Sequence, residues 1–229
     1  MRIRLLFKKG EPVRFISHLD TMRAFARAMR RAGLPVAFSR GFNPHPRMVF
    51  ALPLAVGATS EMDVLDVDFS ERVGLLQAVQ ALNAALPPGL CTCVAREIPV
   101  DSPPAMSVVD ASEYSVKVPI KNRSVDPAGP LRSFMESGSI CVERKREGQP
   151  ARTIDVRPLV LIAAEGGDGG GGMAHYEFTI RSGSRQNLRP DELLQALDSI
   201  GEGWLELAEA RYHRRGLYTL RDGRLVPLV

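Results

Sequence analysis

Residues 14–47 read RFISHLD (14–20), TMRAFARAMRRAG (21–33) and LPVAFSRGFNPHPR (34–47), and they set the reading of the whole chain. Ser17 and Asp20 stand in S-x-x-D spacing. The spacing predicts a capping box: the Ser17 hydroxyl accepts from the Asp20 amide, and the Asp20 carboxylate reaches back to the Ser17 amide. Leu19, Met22, Phe25, Ala26 and Met29 then recur at helical spacing. Gly33 falls where a left-handed stop belongs, and Pro35 cannot continue a helix. A helix is predicted over about residues 18–32.

The opposite face of this helix carries Arg23, Arg27, Arg30 and Arg31. Steps of three and four place these guanidinium groups on one side, where like charges repel by a few tenths of a kcal/mol per pair. No carboxylate lies among them, so intrahelical ion pairs are not expected. A solvated face and an anion-binding face both account for such a run. The segment Gly41-Phe42-Asn43-Pro44-His45-Pro46-Arg47 follows, with Arg40 before it. Two prolines fix φ and push Asn43 and His45 toward extended conformations. The expectation is a stiff loop presenting an aromatic ring, an amide, an imidazole and two guanidinium groups, although Asn-Pro and Pro-x-Pro also make ordinary turns.

Around this stretch the chain alternates strands and helices. Residues 2–7 alternate basic and apolar, with Ile3, Leu5 and Phe7 inward. Short strands are predicted over 36–38 and 48–54, and a longer one over 62–69 with Asp63, Asp66 and Asp68 facing mostly outward. Ser70 is expected to cap a helix reaching about Leu86, with Val73, Leu76, Val79 and Leu82 buried. A strand over 91–98 closes the pattern. Pro99-Val100-Asp101-Ser102-Pro103-Pro104 is the best boundary in the chain.

The second half repeats the plan. Strands are predicted over 113–120, 140–146, 153–163 and 174–180, with a last one over 204–208. Helices are predicted from Asp126-Pro127 to about Glu136 and from Pro190 to Gly201. The predicted fold is α+β: two ferredoxin-like (βαββαβ) domains in tandem, 1–99 and 105–229, each an antiparallel sheet with helices on one face.

The 229 residues suffice for two small domains. Residues 1–50 hold 11 Lys and Arg against two carboxylates, a net +9, and the remainder of the chain is −5. Such concentration points to a polyanion, and no amphipathic aromatic helix suggests a membrane. Three cysteines, Cys91, Cys93 and Cys141, make no disulfide framework and suit a reducing cytoplasm. The start at Met1-Arg2-Ile3-Arg4 reads as a strand rather than a signal peptide. Oligomeric state is not legible.

Several chemistries are demoted. Residues 166–172, G-G-D-G-G-G-G, lack the Lys-Ser/Thr of a phosphate loop and read as a hairpin tip. Cys91-x-Cys93 has no second pair, so core strand cysteines are expected and no metal or other cofactor. His18, at a helix N-terminus that lowers an imidazole pKa, could serve as a general base toward a ribose hydroxyl with His45 or an Arg on the phosphate; local capping is the plainer reading. Residues 211–218 interleave basic and aromatic groups, as a nucleic-acid contact or a segment docking on the first domain.

The first seventy residues resemble a bacterial family, the radical-SAM-associated domain of unknown function. That domain occurs free-standing or behind a B12-binding radical SAM protein. The resemblance rests on Arg14-Phe15, Ser17-His18-Leu19-Asp20, Arg27-Ala28, Arg30-Arg31-Ala32, Leu34-Pro35, Ser39, Gly41-Phe42-Asn43-Pro44-His45-Pro46, Leu52-Pro53-Leu54, Gly57 and Ser60-Glu61. The stretch is also similar, more faintly, to the first ferredoxin-like domain of CRISPR repeat-processing endoribonucleases. The three cysteines lack the C-x-x-x-C-x-x-C spacing of a radical SAM enzyme, so the resemblance implies a partner of one. The functional expectation is an RNA-binding protein in tRNA or rRNA processing or modification, accessory to a radical SAM enzyme. Arg23, Arg27, Arg30, Arg31, Arg40 and Arg47 would hold phosphates, and Phe42, Asn43 and His45 a base or ribose. The alternatives are a metal-free endoribonuclease using His18 and His45, and a module that docks an acidic protein.

Overall fold

The computed structural model describes residues 1–146, 148–167 and 170–229, apart from the side chains of residues 145, 146 and 149. Asp168 and Gly169 of the glycine-rich run lie outside the described residues. The chain divides into two compact units, Met1–Val109 with Arg214–Val229, and Asp110–His213. This differs from the expected 1–99 and 105–229, because the last residues return to the first unit.

Unit 1 contains β1 (Arg2–Lys9), α1 (His18–Arg31), β2 (Met48–Phe50), β3 (Thr59–Asp68), α2 (Leu75–Ala85), β4 (Leu90–Ile98) and the short α3 (Ala105–Val108). Strand β1 lies between β4 and β3, antiparallel to both, and β2 pairs antiparallel with β3. Ile3, Leu5 and Phe7 fall at alternate positions, and a period of two sends them to one face, with Leu6 on the other. The first three join Leu65, Val67 and Phe50, Ala24, Phe25, Ala28 and Met29 of α1, and Leu82 of α2 in one core. Phe7, Phe25 and Phe50 meet edge to face with centroids 4.9, 5.6 and 5.7 Å apart. Burying each side chain stabilises the fold by about 1.5–3 kcal/mol.

The other face of this sheet is also covered, which corrects the expectation for the aspartates. Asp63, Asp66 and Asp68 are buried. Register places Arg2 opposite Asp68 and Arg4 opposite Asp66. Their Nε atoms donate to the carboxylates at 2.6 and 2.7 Å. Opposite charges across a strand pair stabilise each other, so the basic and acidic alternations are two halves of one ladder. The amide of Ala105 also donates to Asp66.

Three other expectations change in unit 1. Helix α2 starts at Leu75 rather than at Ser70, whose hydroxyl donates instead to the Pro35 carbonyl. Leu76 is consequently 66% exposed, and Ala78 and Leu82 are the buried residues. Cys91 and Cys93 are exposed rather than in the core, since Leu90 and Thr92 take the inward positions of β4.

Unit 2 contains β5 (Ala111–Pro119), α4 (Ala128–Glu136), β6 (Cys141–Arg146), β7 (Gln149–Asp155), β8 (Val160–Glu165), β9 (Met173–Arg181) and α5 (Pro190–Ile200). Strand β9 lies between β5 and β8, and β6 and β7 form a separate antiparallel ribbon. The single strand expected over 153–163 is broken by a 3-10 turn, Arg157–Leu159, because Pro158 has no N–H to donate. The glycine-rich run joins β8 to β9. Residues 204–208 form no full strand; Leu205 makes an isolated bridge to Ile120. The last long strand is β10 (Arg211–Arg221), which pairs with β11 (Arg224–Pro227). Both units combine antiparallel strands with few helices, so the fold is α+β. Among the described residues no helix is long and apolar enough to cross a membrane.

Candidate nucleic-acid interface

Helix α1 is fixed at both ends by local chemistry. The Ser17 hydroxyl oxygen accepts from the Asp20 amide at 3.1 Å. The Asp20 carboxylate accepts from the Ser17 hydroxyl at 2.7 Å, not from its amide as expected. At the other end the Gly33 amide donates to Arg30 and the Leu34 amide to Met29. That is a Schellman stop, and Gly33 at φ +64° supplies its left-handed residue. Leu34 packs on the same core as Met29.

All four arginines on the outer face of α1 are exposed. Arg23 is nonetheless paired, with Nη1 donating to Asp20 at 3.1 Å. The expectation of no intrahelical pair therefore fails at the capping residue. Asp20 is held below the usual carboxylate range by the Ser17 hydroxyl and then by Arg23. Arg31 donates to the Ala85 carbonyl at the end of α2, where a cation offsets the helix dipole. Among the described residues no ion pair engages Arg27, Arg30 or Arg40.

Residues 38–46 close into a small lobe. Phe38 bridges Pro46, and the Ser39 amide donates to the His45 carbonyl at 2.9 Å. The Ser39 hydroxyl accepts the His45 amide at 3.1 Å and meets His45 Nδ1 at 2.9 Å. Gly41 has φ +131°, a conformation that side chains rarely adopt. Phe42 is fully exposed, and Phe38, Arg40, Asn43 and His45 are also exposed. Arg47 departs from expectation: its Nη2 pairs with Asp68 at 2.9 Å. Beneath the lobe is a cleft of about 260 Å³ walled by Pro46, Met48, Val49 and Pro104, whose polar residues include Arg2, His45 and Arg47 and the carboxylates Asp66 and Asp68.

His18 lies elsewhere. Its ring sits edge to face on Phe50 at 5.3 Å, on the α1 side of the sheet. Val49, the adjacent residue, lines the cleft. Successive strand residues point to opposite faces, so His18 and His45 do not meet as an acid–base pair. Burial, and then the Arg214 guanidinium, push the His18 pKa down. Arg214 is completely buried, donating through Nε to Asp63 at 2.7 Å and to the carbonyls of Leu52 and Pro53. Lys9, also buried, donates to the carbonyls of Arg14 and Ile16 at 3.1 Å each, and burial lowers its pKa.

The structure thus brings Arg40, Phe42, Asn43 and His45 together on one lobe. It leaves Arg27 and Arg30 as open cations, pairs Arg23 with Asp20, and has Arg47 share Asp68 with Arg2. Ser39, quoted for the family resemblance alone, was not among the expected site residues, although a hydroxyl six residues before a Pro-flanked His is a readable signal. Sequence reasoning missed Phe38, Arg2 and Val49 as neighbours of the lobe. In unit 2, Ser115 and Glu177 approach the same nitrogen of His175, Nε2, at 2.8 and 3.1 Å. A relay needs opposite ring nitrogens, so this group is not a nucleophile–base–acid triad. Among the described residues no three His, Cys, Asp or Glu side chains gather to hold a metal ion.

Two solved structures match the chain. A crystal structure of a Cbf5-Nop10-Gar1 complex matches with TM-score 0.50 and 11% identity, over 94% of this chain and 48% of that one. A crystal structure of the archaeal box H/ACA sRNP Nop10-Cbf5 complex matches with TM-score 0.44 and 10% identity, over 93% and 46%. The chain spans about half the length of the solved chains it matches. No curated protein matches it in sequence. A family model described as "Uncharacterized protein conserved in bacteria (DUF2344)" matches residues 2–190, most of the chain, which therefore belongs to this bacterial family.

Proposed function

We propose that the protein binds RNA through the outer face of α1 and the lobe of residues 38–47. The reading is carried by the exposed guanidinium groups at Arg27, Arg30 and Arg40, which have no carboxylate partner among the described residues, together with a fully exposed Phe42. Folding pairs Arg2, Arg4, Arg14, Arg23 and Arg47 of the basic N-terminal stretch with acids. The cations that escape pairing define the phosphate-binding face. Phosphate contacts supply affinity, and exposed aromatic rings stack unpaired bases. Arg31, engaged with Ala85, contributes its charge from the edge of the same face.

The context we infer is tRNA or rRNA processing or modification, as an accessory to a radical SAM protein, in a reducing cytoplasm where Cys91, Cys93 and Cys141 stay as thiols. The sequence resemblance supports that context. The fold reading that goes with it is ferredoxin-like for unit 1, supported by the β4-β1-β3-β2 strand order with α1 and α2 on the shared core. The matching reading for unit 2 takes the β6–β7 ribbon as an insertion. The likeness to the Cbf5-Nop10-Gar1 complex is one of fold and adds no residue to this argument.

Anisotropy with a labelled single-stranded RNA tests the function. Arg27→Glu, Arg30→Glu and Arg40→Glu together should reduce affinity by well over tenfold. Unchanged, salt-independent binding would remove the proposal. Binding by ribonuclease-treated partners alone would favour an acidic protein instead.

A further inference from the structure

The cleft under the lobe is not explained by a phosphate-binding face. Its apolar walls come from Pro46, Met48, Val49 and Pro104, and its polar lining is Arg2, Ser39, His45, Arg47, Asp66 and Asp68. Both carboxylates are held by guanidinium groups, Asp66 by Arg4 and Asp68 by Arg2 and Arg47, so three cations face two anions. At about 260 Å³ it lies just under the ~300–1,000 Å³ of sites for drug-sized ligands. That space suits one planar ring system with part of a sugar. The polar groups are held in place by the fold. His45 is fixed through Nδ1 by Ser39, which leaves Nε2 as the nitrogen for a ligand. Arg47 is held by Asp68 through Nη2, yet its side chain remains 53% exposed. A guanidinium has five N–H donors, so the pairing with Asp68 positions Arg47 without exhausting it.

We infer that this cleft is a subsite for one unpaired nucleotide: the base lies against Val49 and Pro104, and its phosphate meets Arg47 and His45 Nε2. This rests on the RNA reading above and deepens it. A duplex cannot fill the cleft, because its bases are stacked and paired, whereas a single strand can place one base there and stack the next on Phe42 or Phe38. The site therefore converts a charge-driven surface into one that selects single-stranded RNA.

Backbone amide NMR of the full chain, titrated with each of the four nucleoside 5′-monophosphates and with inorganic phosphate as control, tests the assignment. At least one monophosphate should shift the amides of Arg47, Met48 and Val49, and phosphate alone should not. Val49→Trp fills the cleft and His45→Ala removes the ring from the exposed lobe. Each should weaken monophosphate binding at least tenfold and abolish the preference for single-stranded over double-stranded RNA of equal length. His45→Ala keeps the test valid if the larger substitution disturbs β2. No shifts with any monophosphate, or the same shifts with phosphate, would overturn the subsite. Salt-dependent RNA binding in that case would leave the α1 reading standing. Monophosphate binding without any retention of RNA by Arg27, Arg30 and Arg40 would do the reverse.

Discussion

Arg214 shows how one buried side chain ties distant parts of unit 1 together. It is completely buried, and its charge is matched by Asp63 and by the carbonyls of Leu52 and Pro53. Removing Arg214 leaves the Asp63 carboxylate buried with the Ser60 hydroxyl but without its guanidinium. Arg214→Ala should therefore cost about 3–5 kcal/mol by urea denaturation. Arg214→Met with Asp63→Leu should cost less than the single change, since apolar side chains of similar volume replace a buried pair almost neutrally. His18 makes a second prediction at this scale. Its folded pKa lies below the ordinary 6.5, chiefly through burial. The unfolded chain then binds a proton more readily, so the contribution of His18 to stability is complete above pH 6.5 and is lost as pH falls toward the folded pKa. Melting curves between pH 7.5 and 5 should show this decline, and His18→Phe should flatten it.

Among the elements, α1 was legible because its instructions are local: a Ser-x-x-Asp start, apolar residues at helical spacing, and a glycine stop. Helix α2 was misread at its start because the hydroxyl that looked like its cap bonds a carbonyl 35 residues away. Strand β3 was misread for a related reason. Asp66 and Asp68 face arginines of β1 and Asp63 pairs with Arg214, and alternation within one strand does not say what covers the outer face. The lobe was legible as a basic and aromatic segment. Its closure by Ser39 was readable from spacing but was not anticipated, and the pairing of Arg47 with Asp68 was not legible, since it depends on a partner outside the motif. Gly41 tests the lobe itself. Gly41→Ala places a side chain at φ +131°, a strain exceeding ~1 kcal/mol where φ is positive. RNA affinity should fall several-fold while the melting temperature of the protein stays within a few degrees.

For the whole molecule, the largest surprise is the return of the C-terminus to unit 1. Arg214 and Asp63 are separated by 151 residues, and no local pattern announces such a pairing. Leu217 joins Leu6, Val64 and Ala105 in the second core of that unit. Truncation after His213 should therefore lower the melting temperature and promote aggregation, read by circular dichroism and light scattering. An unchanged melting curve would show that the last strand is dispensable. Charge also has to be counted on the folded molecule. The N-terminal excess of +9 is reduced by pairing with Asp66, Asp68 and local acids, and what remains exposed is concentrated on α1 and the lobe.

The salt dependence of RNA binding tests this account most directly. Binding constants of a single-stranded RNA, measured across a range of salt concentrations, give a slope set by the number of phosphates neutralised, about 0.7 per contact for single strands. Replacing Arg27, Arg30 and Arg40 with Gln should weaken binding and reduce the magnitude of that slope by roughly 2. A slope and an affinity identical to those of the unaltered protein would contradict it.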